Sequence, residues 1–145
     1  TLAIGESTAE EIKIAVGSAM PIDQELKIDV KGRDLVDGLP KVVRITSTEV
    51  REAIEPVVAQ IEDTIRSALE QTPPELVRDI VDQGIVLTGG TSQLRGLNLR
   101  FADALNVPVH VAEQPLFSVA MGLGKILEAP EEKRKVSITI ERQNG

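Results

Sequence analysis

The sequence predicts a mixed α/β chain with an aliphatic core, on three observations. Leu26-Lys27-Ile28-Asp29-Val30 alternates apolar and polar residues, and Val42-Val43-Arg44-Ile45 is rich in β-branched ones, the patterns of half-buried strands. Val50, Ile54, Val57, Ile61, Ile65 and Leu69 recur every three or four residues, the stripe of a long amphipathic helix. Beyond it, the short apolar runs Ile85-Val86-Leu87 and Val107 to Val111 alternate with helical patterns, as strands do in α/β units.

In chain order, Thr1 to Gly5 reads as the end of a strand entering a turn, as if the chain were a piece of something longer. A helix follows, with Ser7 and Glu10 spaced as a capping box, Ala9, Ile12 and Val16 on one face, and Gly17 as its stop. Gly32-Arg33-Asp34 predicts a turn, and Leu35 to Pro40 a short strand with a second turn. These strands make a small antiparallel sheet beside the first helix. Thr46 and Glu49 have capping-box spacing at the start of the long helix, which Pro56 should kink or split near Ile54. Pro73-Pro74 opens a helix over about Glu75 to Asp82, with Gly84 as its stop.

After the strand that ends on Gly89-Gly90, Leu94, Leu97, Phe101 and Leu105 form a helix face. A last helix opens at Pro115 and points Leu116, Val119, Ala120, Leu123 and Leu127 inward. Pro130 to Lys135 reads as a charged linker, and Val136 to Ile140 as an edge strand or frayed tail. The division is therefore residues 1–46, a small α/β subdomain; 47–128, a larger α/β subdomain; and 129–145, linker and tail. A long helix joins the first two, which predicts a rigid hinge.

Composition narrows the function. The 145 residues can bury a substantial core, but with two Phe and neither Trp nor Tyr it must be aliphatic. There is no cysteine, so disulfides and thiolate metal sites are excluded. A formal net charge of −7 opposes nonspecific nucleic-acid binding, and base-stacking platforms are lacking. No apolar run is long enough to span a bilayer.

Ile85-Val86-Leu87-Thr88-Gly89-Gly90 is the most informative stretch: a buried strand that stops on two glycines, with a helix beyond. Paired glycines let backbone approach a ligand that a Cβ would push away, and a helix start offers free N–H groups to a phosphate. The same pattern also serves as a plain tight turn. Glu10 and Lys13 lie three apart on one helix face, so a carboxylate and an ammonium project together; this is either half of a ribose and base grip or a solvated ion pair. His110, in a strand with no second His and no Cys, reads as a partly exposed strand histidine rather than a metal ligand. There is no Ser–His–Asp spacing, no H-E-x-x-H and no G-x-x-x-x-G-K-[ST]. Gly122-Leu123-Gly124 suits close helix packing.

Ile4-Gly5-Glu6-Ser7-Thr8-Ala9-Glu10-Glu11-Ile12-Lys13 resembles the I-G-E-x-T-A-E-x-I-K segment of the MreB family of bacterial actin-like cell-shape proteins. The resemblance continues in order through Gly17-Ser18-Ala19, Val30 to Leu35 (V-x-G-R-x-L) and Ala68 to Leu76 (A-L-E-x-x-P-P-E-L). It then runs through Gly84 to Gly90 (G-x-V-L-T-G-G) and Glu113 to Gly122 (E-x-P-L-x-x-V-A-x-G). It implies an actin-like ATPase fold of the ribonuclease H-like kind, and its C-terminal half. By resemblance, Glu10, Glu11, Ile12 and Lys13 flank adenine and ribose, and Thr88, Gly89, Gly90 and Thr91 lie beside adenosine and phosphates, with ATP and Mg²⁺ as cofactors of the intact protein. Two positions depart from the family pattern. Thr91 stands where a third glycine is usual, a costly residue if φ must be positive there, and Met121 stands where Arg is common.

The resemblance further implies head-to-tail self-assembly into filaments and work with the cell-wall elongation machinery at the inner membrane. It places the protein in the cytoplasm, with membrane contact through the N-terminal half. The first phosphate loop, D-x-G-T, is not in this sequence, so the chain alone is expected to show little or no ATPase activity. The competing expectation is a stand-alone structural or interaction domain that keeps the lobe without the nucleotide.

Overall fold

The computed structural model describes residues 2–128. Their order is β1 (Leu2–Ala3), α1 (Glu6–Val16), β2 (Lys27–Asp34), β3 (Pro40–Thr46), α2 (Ser47–Glu70), α3 (Pro74–Gln83), β4 (Ile85–Leu87), a 3-10 turn (Gly90–Gln93), α4 (Leu97–Leu105), β5 (Val109–Val111) and α5 (Ser118–Glu128). β1, β2 and β3 form an antiparallel sheet with β2 central, and β4 pairs with β5 in parallel. The linker and edge strand expected over 129–145 lie outside the described residues.

The first core forms where α1 lies on the three-stranded sheet. Register places Ile28 opposite Ile45 and Val30 opposite Val43. Period-two alternation sends Val30 inward, where it meets Ile12 and Val16 of α1 and Val50 of α2. The second core gathers Ala19, Val58, Leu97, Phe101, Val107 and Val109 between α2, α4 and β5. Ile54 packs against both clusters.

Several local expectations change. α1 begins at Glu6 with Gly5 at its cap and no side-chain cap bond, so Ser7 already lies inside the helix and the Ser7–Glu10 box does not form. The box at α2 does form: Thr46 Oγ1 accepts from the Glu49 N–H at 3.2 Å, and the Glu49 carboxylate accepts from the Thr46 N–H at 2.8 Å. Gly32-Arg33-Asp34 continues β2 instead of turning, and the reversal falls at Leu35 to Leu39, where a short strand was expected. Asp34 moves it there, because its carboxylate accepts from the Val36 N–H at 2.9 Å and from Lys41 Nζ at 2.6 Å. Asp37 accepts from the Leu39 N–H at 2.9 Å and closes the tip.

α2 runs unbroken through Pro56. Proline there removes one helical bond, to the Glu52 carbonyl, but Glu52 and Pro56 are both exposed and water can take that acceptor. The stripe also shifts by one residue after Ile54: Val58 is 4 % exposed and Val57 58 %. Arg100 of α4 ties onto the neighbouring face of α2, with Nη2 donating to Glu55 Oε1 at 2.7 Å and Nε to Glu62 at 3.3 Å. That guanidinium holds the Glu55 carboxyl below its usual range.

The last helix departs most from expectation. Pro115 opens a turn, α5 starts only at Ser118, and the face expected inside looks outward, with Val119 73 % and Leu127 69 % exposed. Leu116, Ala120 and Leu123 are exposed as well, because no described element covers that side.

Phe101 is 1 % exposed at the centre of the second core, so Phe101→Ala should cost about 3–5 kcal/mol in chemical denaturation. Lys41 and the Val36 N–H hold the Asp34 carboxyl below its usual value. Its contribution to stability is therefore complete above the unfolded pKa, about 4, and is lost as pH falls through the lower folded value. Asp34→Asn should flatten that acid limb, measured as unfolding midpoints at successively lower pH.

Candidate functional site

The corner after β4 is built by backbone. The Ala112 N–H donates to the Leu87 carbonyl at 3.0 Å and ends the β4–β5 pairing, leaving Thr88 exposed. Gly89 then adopts φ +82, ψ 172, a region closed to residues with a Cβ except at a cost. Its N–H donates to the Pro115 carbonyl at 2.8 Å, and its carbonyl accepts from Ser92 Oγ at 2.7 Å. Ser92, buried and unremarked in the sequence, therefore pins the bend.

The chain next curls through one turn of 3-10 helix, Gly90–Gln93, and α4 starts only at Leu97. The helix expected directly beyond the glycines is displaced because Gly96, at φ +74, cannot lie inside it. Leu94, expected on that helix, sits in the connection and packs against the second core. Thr91 has no positive φ: among non-glycine described residues only Asn106 does. The strain foreseen at Thr91 does not arise, and the unusual backbone belongs to Gly89.

The opposite wall is α1. Ile12 and Val16 hold it to the first core, which turns Glu10 and Lys13 away from that core. Their ion pair is loose, 4.0 Å, with Glu10 66 % exposed, so either group can leave the other for a ligand at small cost.

Between these walls lies a cavity of about 510 Å³, lined by Glu10, Lys13, Gly90, Thr91, Leu94 and Leu116 among others. That is the size of a small-molecule site. The structure thus brings together two segments far apart in sequence. Four of the eight expected residues line the cavity. Glu11 is exposed, Ile12 is buried in the core beneath α1, and Thr88 and Gly89 form the approach to the turn; none of these four lines it. Arg95 and Leu116 were not foreseen. Leu116 read as a core residue by its helical spacing, and Arg95 carried no motif. His110 is exposed on β5, outside the cavity lining. Among the described residues no three His, Asp or Glu side chains converge as a metal centre.

The family profile described as MreB/Mbl protein matches residues 1–135. The chain belongs to the MreB/Mbl family. It is 46 % identical over 138 residues to the cell shape-determining protein Mbl of Bacillus subtilis, covering 94 % of this chain and 41 % of that one. It is 46 % identical over 125 residues to the cell shape-determining protein MreB of Escherichia coli, covering 86 % of this chain and 36 % of the relative. The MreB/Mbl chain described here therefore spans roughly two-fifths of these relatives' length. Its fold superposes on MreB5 of Spiroplasma citri bound to ADP with TM-score 0.86 and 33 % identity, over 94 % of this chain and 41 % of that one. The same protein bound to AMPPNP gives TM-score 0.85 at 34 % identity, over 92 % and 40 %. The fold is the actin-like α/β fold.

The two glycines differ in what a methyl group would meet. A Cβ at Gly89 would find open space but a forbidden backbone, whereas one at Gly90 would reach only Leu116 Cδ2 at 3.5 Å, an ordinary contact. Gly89→Ala should therefore destabilise the unliganded protein by about 1–3 kcal/mol, and Gly90→Ala by less than about 0.5 kcal/mol, in paired denaturation curves.

Proposed function

We propose that the cavity between α1 and the diglycine turn is the adenosine side of an ATP site, in a cytoplasmic protein that polymerises head to tail. On this reading the filament scaffolds cell-wall synthesis beneath the inner membrane and sets cell shape. The observation that carries the reading is the meeting of Glu10 and Lys13 with Gly90 and Thr91 around one cavity, in a chain whose fold matches structures bound to ADP and AMPPNP.

The residues suit a nucleoside. The Glu10 carboxylate accepts hydrogen bonds from ribose hydroxyls, and the Lys13 stem offers a methylene surface to the base while its ammonium donates. Gly90 lets backbone approach where a side chain would stand. Glu11 and Ile12 belong to the same grip through α1: Ile12 anchors the helix, and Glu11 adds negative charge beside it. Thr88 and Gly89 hold the turn in place. We take residues 1–46 and 47–128 as two subdomains, with α2 as the joint.

Magnesium fits this cavity poorly. It asks for several oxygen ligands in near-octahedral geometry, and Glu10 is the sole carboxylate of the lining. In the intact protein the ion belongs with the phosphates and with residues outside this cavity. The described residues bind and orient; none is placed to activate a water.

Titration calorimetry of the full-length protein with ATP·Mg²⁺ tests the reading. Gly90→Val should weaken binding at least tenfold and abolish nucleotide-dependent sedimentation, while the unliganded protein stays folded. Unchanged binding would remove the assignment.

A further inference from the structure

One wall of the cavity is braced against the other by an arginine of the diglycine segment. Arg95 follows the 3-10 turn, and its Nη1 donates to the carbonyls of both Ile14 and Gly17, each at 3.1 Å. Those oxygens belong to the end of α1, where the last carbonyls lack helical partners. A cation placed there also meets the negative end of the helix dipole. The backbone of Arg95 grips the same segment. Its carbonyl accepts from the Ala19 N–H at 2.7 Å, and Ser18 and Arg95 form an isolated parallel bridge. The seam is tight, since a Cβ on Gly17 would press on Leu94 Cδ1 at 3.2 Å.

This seam lies beside the cavity. Lys13 is adjacent to Ile14, one of the two braced carbonyls, and Gly90 to Leu94 are the segment from which Arg95 extends. Arg95 is itself part of the cavity lining and is solvent-exposed. A ligand that fills the cavity withdraws water from these two charge-assisted bonds and so strengthens them.

We infer that Arg95 is a positioning residue for the nucleotide site, setting the distance between Lys13 on α1 and the Gly90–Leu94 wall. The inference rests on the reading of the cavity as an adenosine site. Arg95 acts through Lys13 and needs no contact with the ligand.

The test is a double-mutant cycle on ATP affinity in the full-length protein, with Lys13→Met, Arg95→Met and the pair, repeated with Arg95→Lys in case the methionine variant folds poorly. Each single change to Met should weaken binding about tenfold, and the pair should weaken it far less than the product of the two, because Arg95 has little left to position once Lys13 is gone. Arg95→Lys should recover part of the loss, since an ammonium on a shorter stem reaches one of the two carbonyls. Hydrogen exchange of unliganded Arg95→Met should quicken over residues 14–20 and not across α2. Multiplicative effects with no recovery by lysine would overturn the brace while leaving the ATP site standing. Failure of the unmodified protein to bind ATP would overturn both.

Discussion

Helix α2 carries one apolar stripe that serves two cores, and the rest of the structure hangs on that sharing. Val50 closes the cluster under α1 and the three-stranded sheet, Val58 closes the cluster around Phe101, and Ile54 touches both. A rigid helix fixes the distance between the two clusters. α1 and the β4 corner ride on different clusters, so α2 carries both walls of the cavity on one frame. The Arg100 links to Glu55 and Glu62 reinforce α2 from its α4 side with charge-assisted bonds.

The cavity's chemistry comes from what each wall can spare. α1 spends Ile12 and Val16 on the core and leaves Glu10 and Lys13 facing away from it in a loose pair. The diglycine turn spends Gly89 on an unusual bend, pinned by Ser92 and the Pro115 carbonyl, and leaves Gly90 open. The positive-φ backbone sits at Gly89, outside the cavity lining, rather than at Thr91, which lines it. Arg95 joins the walls at one end.

Apolar surface remains uncovered on α5, at the hairpin tip formed by Leu35, Val36 and Leu39, and at Val86 of β4. Among the described residues no helix is long and apolar enough to cross a membrane. These faces belong to a chain that spans about two-fifths of the relatives it matches.

Much of the fold was legible in the residues. Period-two alternation marks β2 and β3, the Thr46–Glu49 box marks the start of α2, and Pro74 and Gly84 bracket α3, because strand alternation, capping and backbone restriction are local forces that neighbouring residues report directly. The candidate site was legible only in part. Glu10 and Lys13 could be placed on one helix face, and Gly89-Gly90 at a strand end, but spacing alone favoured a solvated ion pair for the first and left a tight turn as an equal reading for the second. Ordered motif resemblance tied the two together before any geometry did. What no local pattern held was decided by tertiary structure: that Val58 replaces Val57 in the stripe, that the α5 face lies open, and that Arg95 caps α1. Each depends on a partner distant in sequence, or on the lack of one, and helical or strand periodicity records which residues can face inward without recording what waits there to meet them.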